Sequence, residues 1–380
     1  MIPPLPNTAS TPPGAAFAAT EGIDRIYRNQ SASDGLQWLD AFDSRLALLG
    51  HGWPREARAA RSFRRLPDRA VGGLSQAVRN LSHCPAGLCL AFATDASEIA
   101  VRMANHDATP MLLLPMTGCA GAELFRRDGR NWTPMAVAVP SLEMAAFERR
   151  LLWDLPKTLR EYRLYLPLYK GVHELSLGFS PEAEIRPSPA PPGARPIVFY
   201  GTSITQGGCA STAGSDFVSR VGRLLEAETI NLGFSGNGKG EPEVAERLCE
   251  INARLWVLDY FSNCDPDRVR TTLPEFVRIL RSRHPRAPIV LMGTVGYNLV
   301  TWNLQARTEA RARREEVMRF YLRAREAGEE HLHFIDGEGL LPPRTTGAYV
   351  DGIHPTSLGF ERITERLVPQ LETILDWEGY

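Results

Sequence analysis

The chain of 380 residues has few lysines, no long apolar run and no regular cysteine spacing. Only Lys157, Lys170 and Lys239 among its 43 basic residues are lysine, and 44 acidic residues leave a formal net charge of −1. This balance gives no basic surface for nucleic acid or for an anionic membrane. No segment approaches the roughly 20 apolar residues of a membrane-spanning helix. We therefore expect neither nucleic acid nor membrane as a partner.

The cysteines and histidines do not form an obvious ligand set. Cys84 and Cys89 lack the second pair of a structural zinc site, and His331 and His333 lack a third ligand. We expect no bound metal or cofactor. The first residues, MIPPLPNTASTPPGAA, have no apolar core, so residues 1–34 are predicted to be a disordered leader and not a signal peptide. A cytoplasmic protein with reduced thiols is then expected.

What the chain does contain is a change of pattern around residues 181–196, PEAEIRPSPAPPGARP, which are predicted to be a linker. Residues 35–180 hold short segments of period two, which predict an antiparallel β-sandwich. In residues 197–380 apolar strands alternate with helices, which predicts a parallel sheet in a three-layer α/β/α domain. The predicted parallel strands are Ile197–Tyr200, Thr229–Leu232, Leu255–Asp259, Ile289–Met292 and Leu332–Ile335.

A candidate nucleophile lies in the segment IVFYGTSITQGGCAS. Gly201 ends the first parallel strand, and Ser203 follows it in a turn. The carboxyl end of a parallel strand is where open α/β sheets bind their ligands. A capping serine in an ordinary turn remains the structural alternative for this segment alone.

Further residues favour catalysis. His354 can remove the proton of Ser203, and Asp351, three residues earlier in the loop DGIHPTSLGF, can orient the imidazole. The N–H groups of Ser203 and Gly233, together with the Asn263 amide, are predicted to hold a developing oxyanion.

A phosphate-binding loop is the competing interpretation of residues 233–240. The sequence GFSGNGKG matches G-x-x-x-x-G-K, but Gly240 stands where Ser or Thr would bind Mg²⁺. Nucleotide binding is therefore disfavoured.

The order Ser203, Gly233, Asn263 and His354 resembles the SGNH or GDSL family of serine esterases and acyltransferases, with Asp351 completing the triad. Thr202 replaces the aspartate of the usual GDS, and Phe261 replaces a glycine of the family motif. These departures put the shape of the pocket in doubt, not the catalytic serine.

The first domain carries a second resemblance. The segment Gly121–Phe125, GAELF, is similar to the G-x-D-L-Y signature of a β-sandwich that precedes some bacterial GDSL enzymes, and Tyr162–Gly171, YRLYLPLYKG, fits the strand and turn that follow it. Such a sandwich is often a carbohydrate-binding-like module. A lid or a packing partner is at least as good an interpretation.

These resemblances imply acyl transfer through an acyl-enzyme, with a small-molecule acyl donor and an alcohol or water as acceptor. The two-domain layout and the GTSITQGG block are similar to family acyltransferases of tetracycline pathways. They favour an O-acyltransferase that moves an aromatic acyl group from acyl-CoA, a co-substrate, to a polyketide hydroxyl. The alternative is a carboxylic-ester hydrolase, an esterase or carbohydrate deacetylase. A non-catalytic binding module is the third candidate function.

Aromatic residues predicted to line the substrate pocket are Tyr260, Phe261, Tyr297 and Trp302. The oligomeric state is left open.

Overall fold

The computed structural model describes residues 32–70, 72–141, 144–188 and 195–380. The expected leader lies outside these residues except for its last three. The strands, numbered in chain order, are β1 Gln37–Asp40, β2 Ala47–Leu49, β3 Cys89–Thr94, β4 Ile99–Asn105, β5 Ala122–Asp128, β6 Asn131–Ala138, β7 Ala146–Leu152, β8 Arg160–Tyr165, β9 Val172–Phe179, β10 Ile185–Pro187, β11 Ile197–Gly201, β12 Thr229–Gly233, β13 Leu255–Asp259, β14 Ile289–Met292 and β15 Leu332–Ile335. The helices are α1 Pro54–Ala60, α2 Gln76–Leu81, α3 Met116–Cys119, α4 Ser203–Gln206, α5 Phe217–Leu224, α6 Pro242–Leu248, α7 Pro266–Arg283, α8 Leu304–Glu326, α9 Gly337–Leu340 and α10 Ser357–Trp377.

From β11 onward the chain forms an open parallel sheet in the order β12–β11–β13–β14–β15. Helices α5 and α10 cover one face, and α6, α7 and α8 cover the other. The central strands are buried along their whole length because both faces are covered. The predicted three-layer α/β/α fold is confirmed, and each predicted strand agrees with the structure to within one residue.

The first domain is the predicted β-sandwich. One antiparallel sheet has the order β1–β9–β4–β7, and the other has the order β10–β3–β8–β5–β6 with β2 beside β3. Side chains of both sheets, among them Phe92, Val101, Leu164 and Leu177, meet in one apolar core.

The predicted linker at residues 181–196 needs a correction. Strand β10 lies inside it and pairs antiparallel with β3, with the buried Ile185 opposite Thr94. Proline is compatible with such a short edge strand because only one side of the strand needs to hydrogen-bond. The composition of the segment therefore did not predict β10, because this strand forms only by pairing with β3. Residues 189–194 of the segment lie outside the described residues.

The two domains share part of one hydrophobic core. Trp53, Leu66 and Val78, from the helical excursion between β2 and β3, belong to the same buried cluster as residues of the parallel sheet. The buried Arg65 extends this contact, since its Nη1 donates to the carbonyl oxygen of Gly233 (2.7 Å), the last residue of β12. The excursion is thus built into the second domain.

The GAELF segment of the sandwich also holds the second domain. The Glu123 Oε2 accepts the Gly214 N–H (2.8 Å), and the Arg223 Nη2 donates to the Gly214 carbonyl oxygen (2.7 Å). Phe125 packs so closely beneath Gly214 that a Cβ there would lie 2.6 Å from its ring. The motif therefore fixes residues 207–216, the loop that follows α4.

Candidate active site

Ser203 is the first residue of α4 and follows the end of β11 directly. A side chain at Gly201 would overlap the Thr205 hydroxyl, so the strand must end in glycine. Thr202 caps the helix: its Oγ1 accepts the Ile204 N–H (3.2 Å), and its own N–H donates to the Thr205 Oγ1 (3.2 Å). Threonine thus serves as the helix cap at the position where the family motif has aspartate.

Ser203, His354 and Asp351 form one hydrogen-bonded chain. The Ser203 Oγ lies 2.8 Å from the His354 Nε2, and the His354 Nδ1 lies 2.7 Å from the Asp351 Oδ2. The carboxylate only accepts hydrogen bonds, so it fixes the imidazole proton on Nδ1 and leaves Nε2 as the acceptor for the serine hydroxyl. The three predicted residues are therefore brought together from two distant parts of the chain.

The loop around Asp351 is preorganised. Its Oδ1 accepts the backbone N–H groups of Ile353 (3.0 Å) and His354 (2.7 Å). Partial burial raises the pKa of Asp351, but these hydrogen bonds and the His354 imidazole outweigh it and hold the pKa below its ordinary value. The carboxylate consequently stays ionised and keeps its orienting role at neutral pH.

Gly233 does not fit the predicted role of oxyanion donor. Its N–H donates to the side chain of Asn231 (3.0 Å), and a Cβ at Gly233 would overlap the backbone of Gln206. This glycine permits close packing of β12 on α4. The prediction was wrong here because spacing along the sequence does not reveal which N–H is already engaged.

Gly236, at the tip of the turn after β12, is the better candidate for the oxyanion donor that was predicted at Gly233. The turn adopts φ +67° at this residue, and a Cβ there would meet no atom within 4 Å. In the described part of the chain, the N–H groups of Gly236 and Ser203 have no hydrogen-bond acceptor. A glycine at a turn that requires positive φ is the signal that sequence reasoning overlooked.

Asn263 holds this turn in place. It closes a short 3-10 helix that follows β13, and its Nδ2 donates to the Gly238 carbonyl oxygen (3.1 Å). The same Nδ2 also donates a longer hydrogen bond to the Phe234 carbonyl oxygen (3.5 Å). Asn263 and Gly236 therefore lie on the same turn-bearing edge of the sheet as Ser203.

The sandwich contributes Tyr169, a residue that sequence analysis did not select. The Tyr169 hydroxyl lies 3.4 Å from the Ser203 carbonyl oxygen, and the Leu168 carbonyl oxygen accepts the Gln206 Nε2 (3.0 Å). Gln206 in turn accepts the Ser235 N–H (3.0 Å), one residue before Gly236. The loop between β8 and β9 is thus part of the floor beneath the nucleophile.

The four aromatic residues predicted for a substrate pocket separate in the structure. Tyr260 is a buried core residue whose ring packs near that of Phe276 on α7. Trp302 is 72 % exposed on the surface. Only Phe261 and Tyr297 line one cavity. The prediction that Tyr260 and Trp302 line the pocket was therefore wrong: Tyr260 packs in the core and Trp302 lies on the surface. In the short segments after strands, the sequence pattern does not show in which direction a side chain points.

The structure gives another role to the aspartate of the phosphate-binding alternative. Asp259, the aspartate that a phosphate-binding loop would need for Mg²⁺, is buried and accepts the Thr205 hydroxyl (2.9 Å). His331 Nδ1 and His333 Nε2 each lie 2.6 Å from the carboxylate of Glu378. Among the described residues no group of three potential ligands could hold a metal ion. In the same ranges no helix is both long enough and apolar enough to cross a membrane.

Comparison with known proteins agrees with this geometry. Residues 194–372 match the model of the GDSL-like lipase/acylhydrolase family, and residues 36–185 match the GxDLY model, the N-terminus of SGNH-hydrolase-type esterases. No curated protein sequence matches the chain significantly.

Solved structures share both domains. A GDSL-like lipase from Bacteroides ovatus is 30 % identical with a TM-score of 0.84, over 90 % of this chain and 98 % of that one. The salicylyl-acyltransferase SsfX3 from a tetracycline biosynthetic pathway is 20 % identical with a TM-score of 0.72, over 90 % and 98 %. A family two carbohydrate esterase from Cellvibrio japonicus is 15 % identical with a TM-score of 0.57, over 90 % and 99 %. With its GxDLY domain and its serine-bearing α/β/α domain, this chain belongs to the GDSL-like lipase/acylhydrolase family.

Proposed function

We propose that the protein is a serine-dependent carboxylic-ester hydrolase that works through an acyl-enzyme. The observation that carries this proposal is the chain of hydrogen bonds from Ser203 through His354 to Asp351, with distances of 2.8 and 2.7 Å. A serine hydroxyl becomes a nucleophile only when a base removes its proton, and this geometry supplies the base and its orienting carboxylate.

The reaction follows from these positions. His354 Nε2 accepts the Ser203 proton as Oγ forms a bond to the ester carbonyl carbon. The oxyanion that results lies near the N–H groups of Ser203 and Gly236 and the Asn263 amide. His354 then gives its proton to the leaving alcohol oxygen as the bond between that oxygen and the acyl carbon breaks. Water, deprotonated by His354, attacks the acyl-enzyme and releases the acid and free Ser203.

Exposure of the site favours water as the acceptor. The side chains of His354 and Asp351 are 27 % and 24 % exposed, so solvent reaches the base that must activate the second nucleophile. Transfer to an alcohol requires an acyl-enzyme that is shielded from water.

Acyl transfer from an acyl-CoA to a natural-product hydroxyl is the second candidate. The likeness to salicylyl-acyltransferase over both domains favours it.

Mass spectrometry of the intact protein separates the two. We expect rapid release of acid from p-nitrophenyl acetate and no lasting adduct from acyl-CoA thioesters. A persistent adduct that only an added alcohol discharges would instead establish a transferase.

Ser203→Ala should lower the hydrolysis rate by about 10⁴-fold or more, because it removes the nucleophile. Ser282→Ala is the matched control, since Ser282 lies at the far end of α7 and bonds only the Ile279 carbonyl oxygen (2.6 Å). Wild-type rates in Ser203→Ala, with the fold intact by circular dichroism, would exclude the proposed mechanism.

A further inference from the structure

A cleft between the two domains is not used by the mechanism above. It has a volume of about 550 Å³ and opens to solvent on one side. Trp132 and Arg130, from the sandwich, form one wall, and Ser211, Arg220 and Ser357 of the second domain form the other. Its size suits a small organic molecule or part of one.

The charge of this cleft is mostly positive. Arg220 and Arg223 lie one turn apart on α5, and Arg130 faces them from the turn between β5 and β6. Glu123 is the one carboxylate among the residues that line the cleft, and its Oε2 already accepts the Gly214 N–H.

Among the described residues neither arginine of α5 forms an ion pair with a carboxylate, although Asp216, Glu123 and Glu361 lie near enough to interact electrostatically with Arg220. The Arg220 Nε donates to the Ser215 carbonyl oxygen (3.0 Å), and in the described ranges its two Nη atoms have no hydrogen bond or ion pair. Arg223 is 8 % exposed and lies over the Phe125 ring, while its buried Nη1 has no acceptor. Although the Arg223 Nη2 bonds the Gly214 carbonyl oxygen, a buried Nη1 without an acceptor is costly, so a bound anion here would be favourable.

The start of α10 adds to this field. Thr356 caps the helix of 21 residues, and Ser357, its first residue, lines the cleft. The amino end of a long helix carries partial positive charge and unbonded N–H groups. The Ser357 hydroxyl also accepts the Ser211 N–H (2.8 Å), which fixes the hydroxyl at the cleft wall.

The cleft lies next to the proposed catalytic residues. Ser357 follows His354 by three residues, and Ser211 belongs to the loop that leaves α4. In that loop a Cβ on Gly208 would lie 3.0 Å from the Ser203 carbonyl oxygen and 3.4 Å from the His354 ring. The same loop thus contacts Ser203 and His354 at Gly208 and lines the cleft at Ser211.

We propose that this cleft binds an anionic group of the substrate, a carboxylate or a phosphate, through Arg220 and Arg130 with the hydroxyls of α10 and the adjoining loop. This inference rests on the proposed function, because it places the ester at Ser203 and the charged end in the cleft.

The test uses the full-length protein and two series of acetyl esters of increasing chain length: ω-(4-acetoxyphenyl)alkanoic acids, which carry a free carboxylate, and their neutral primary amides. For lengths that span from Ser203 to the cleft, kcat/KM should be about tenfold higher for the carboxylate than for the amide. This preference should fall as ionic strength rises.

The variants isolate the arginines. Arg220→Gln should bring the ratio of the two kcat/KM values close to one, and Arg130→Gln, at an exposed turn, should lower it partly. The control Arg278→Gln, on the exposed face of α7, should keep the wild-type ratio. No preference for the carboxylate at any length, or an unchanged ratio in Arg220→Gln, would overturn the proposal.

Two measurements separate this proposal from the proposed function. Ser203-dependent turnover of the neutral amides tests hydrolysis alone. Calorimetric titration of the Ser203→Ala protein tests binding to the cleft without catalysis. The two ligands are ω-(4-hydroxyphenyl)alkanoates, with a free carboxylate, and inorganic phosphate. Arg220-dependent binding of the alkanoate supports the proposal. Binding of phosphate alone would assign the cleft to free anions and overturn the assignment to substrate.

Discussion

At the scale of single residues, the site depends on hydrogen bonds that orient groups before substrate arrives. Thr202 caps α4 and so sets the direction of Ser203, and Asp351 fixes the tautomer of His354. Both are short-range contacts, and for that reason the sequence motifs around them could be interpreted correctly. Tyr169 differs, because it reaches Ser203 from the other domain.

Tyr169→Phe should lower kcat several-fold and leave KM nearly unchanged, because Tyr169 positions the nucleophile and does not touch substrate. The measurement is steady-state hydrolysis together with the rate at which a fluorophosphonate labels Ser203. Tyr162→Phe is the control, since Tyr162 is also a buried tyrosine of the sandwich but packs in its core, among the residues between the two sheets. An equal loss in both variants would show a general packing effect and contradict a positioning role.

Asp259 should make stability depend on pH. Burial raises its pKa to about 8 from an ordinary 3.8, although the Thr205 hydrogen bond opposes the rise. Between these values the folded state keeps a proton that the unfolded chain releases. The free energy of unfolding should therefore fall as pH rises, by up to about 1.4 kcal/mol per pH unit, until the folded group ionises near pH 8.

Asp259→Asn keeps an oxygen for the Thr205 hydroxyl and cannot ionise. Urea unfolding from pH 5 to 8.5 should show the variant gaining stability relative to the wild type as pH rises. Asp267→Asn, at an exposed position on α7, is the control. Parallel pH profiles for wild type and Asp259→Asn would contradict a buried neutral carboxyl.

At the scale of elements, the contact between a short helix of the sandwich and the loop after α4 shapes the surroundings of the site. Helix α3 of the sandwich packs against the loop after α4, and a Cβ on Gly118 would overlap the Ala210 carbonyl oxygen. The Thr117 hydroxyl donates to the Ser211 carbonyl oxygen (2.5 Å) at the same place. The sandwich therefore sets the conformation of a loop that adjoins Ser203 and His354.

Gly118→Ala should displace this loop, lower stability by about 1–3 kcal/mol and reduce kcat. Gly339→Ala is the matched control, since a Cβ there meets no atom within 4 Å. Thermal unfolding and ester hydrolysis measure the two effects. A variant with reduced stability and a wild-type kcat would show that the loop does not govern the site.

At the scale of the whole molecule, the sequence divides into two domains, but residues of both domains pack in one hydrophobic core. The Trp53–Val78 excursion shares the core of the parallel sheet, and Arg65 hydrogen-bonds the end of β12. Calorimetry should accordingly show one cooperative unfolding transition, because part of the apolar surface of each domain is buried against the other. Two resolved transitions, with the sandwich melting separately, would contradict this coupling.

Much of the fold could be predicted because its signals are local. Strand β13 is a continuous apolar run that ends in Asp259, and Ser203 follows a strand and a glycine. The β10 strand could not be predicted, since a segment rich in proline becomes a strand only when β3 offers it an edge. Gly233 and Tyr260 were misassigned for a related reason: the direction of an N–H or of a ring after a strand depends on what packs there.

Local sequence patterns were enough to predict the two domain classes, the serine at the strand end, and the His354 and Asp351 pair, because each pattern lies within a few residues. Tertiary structure alone decided that Gly236 presents a free N–H, that Tyr169 and Arg65 reach from the sandwich into the second domain, and that Arg220 lines the cleft between the domains. The physical reason is that burial and hydrogen-bond partners belong to contacts between distant segments, and only the folded chain brings those segments together.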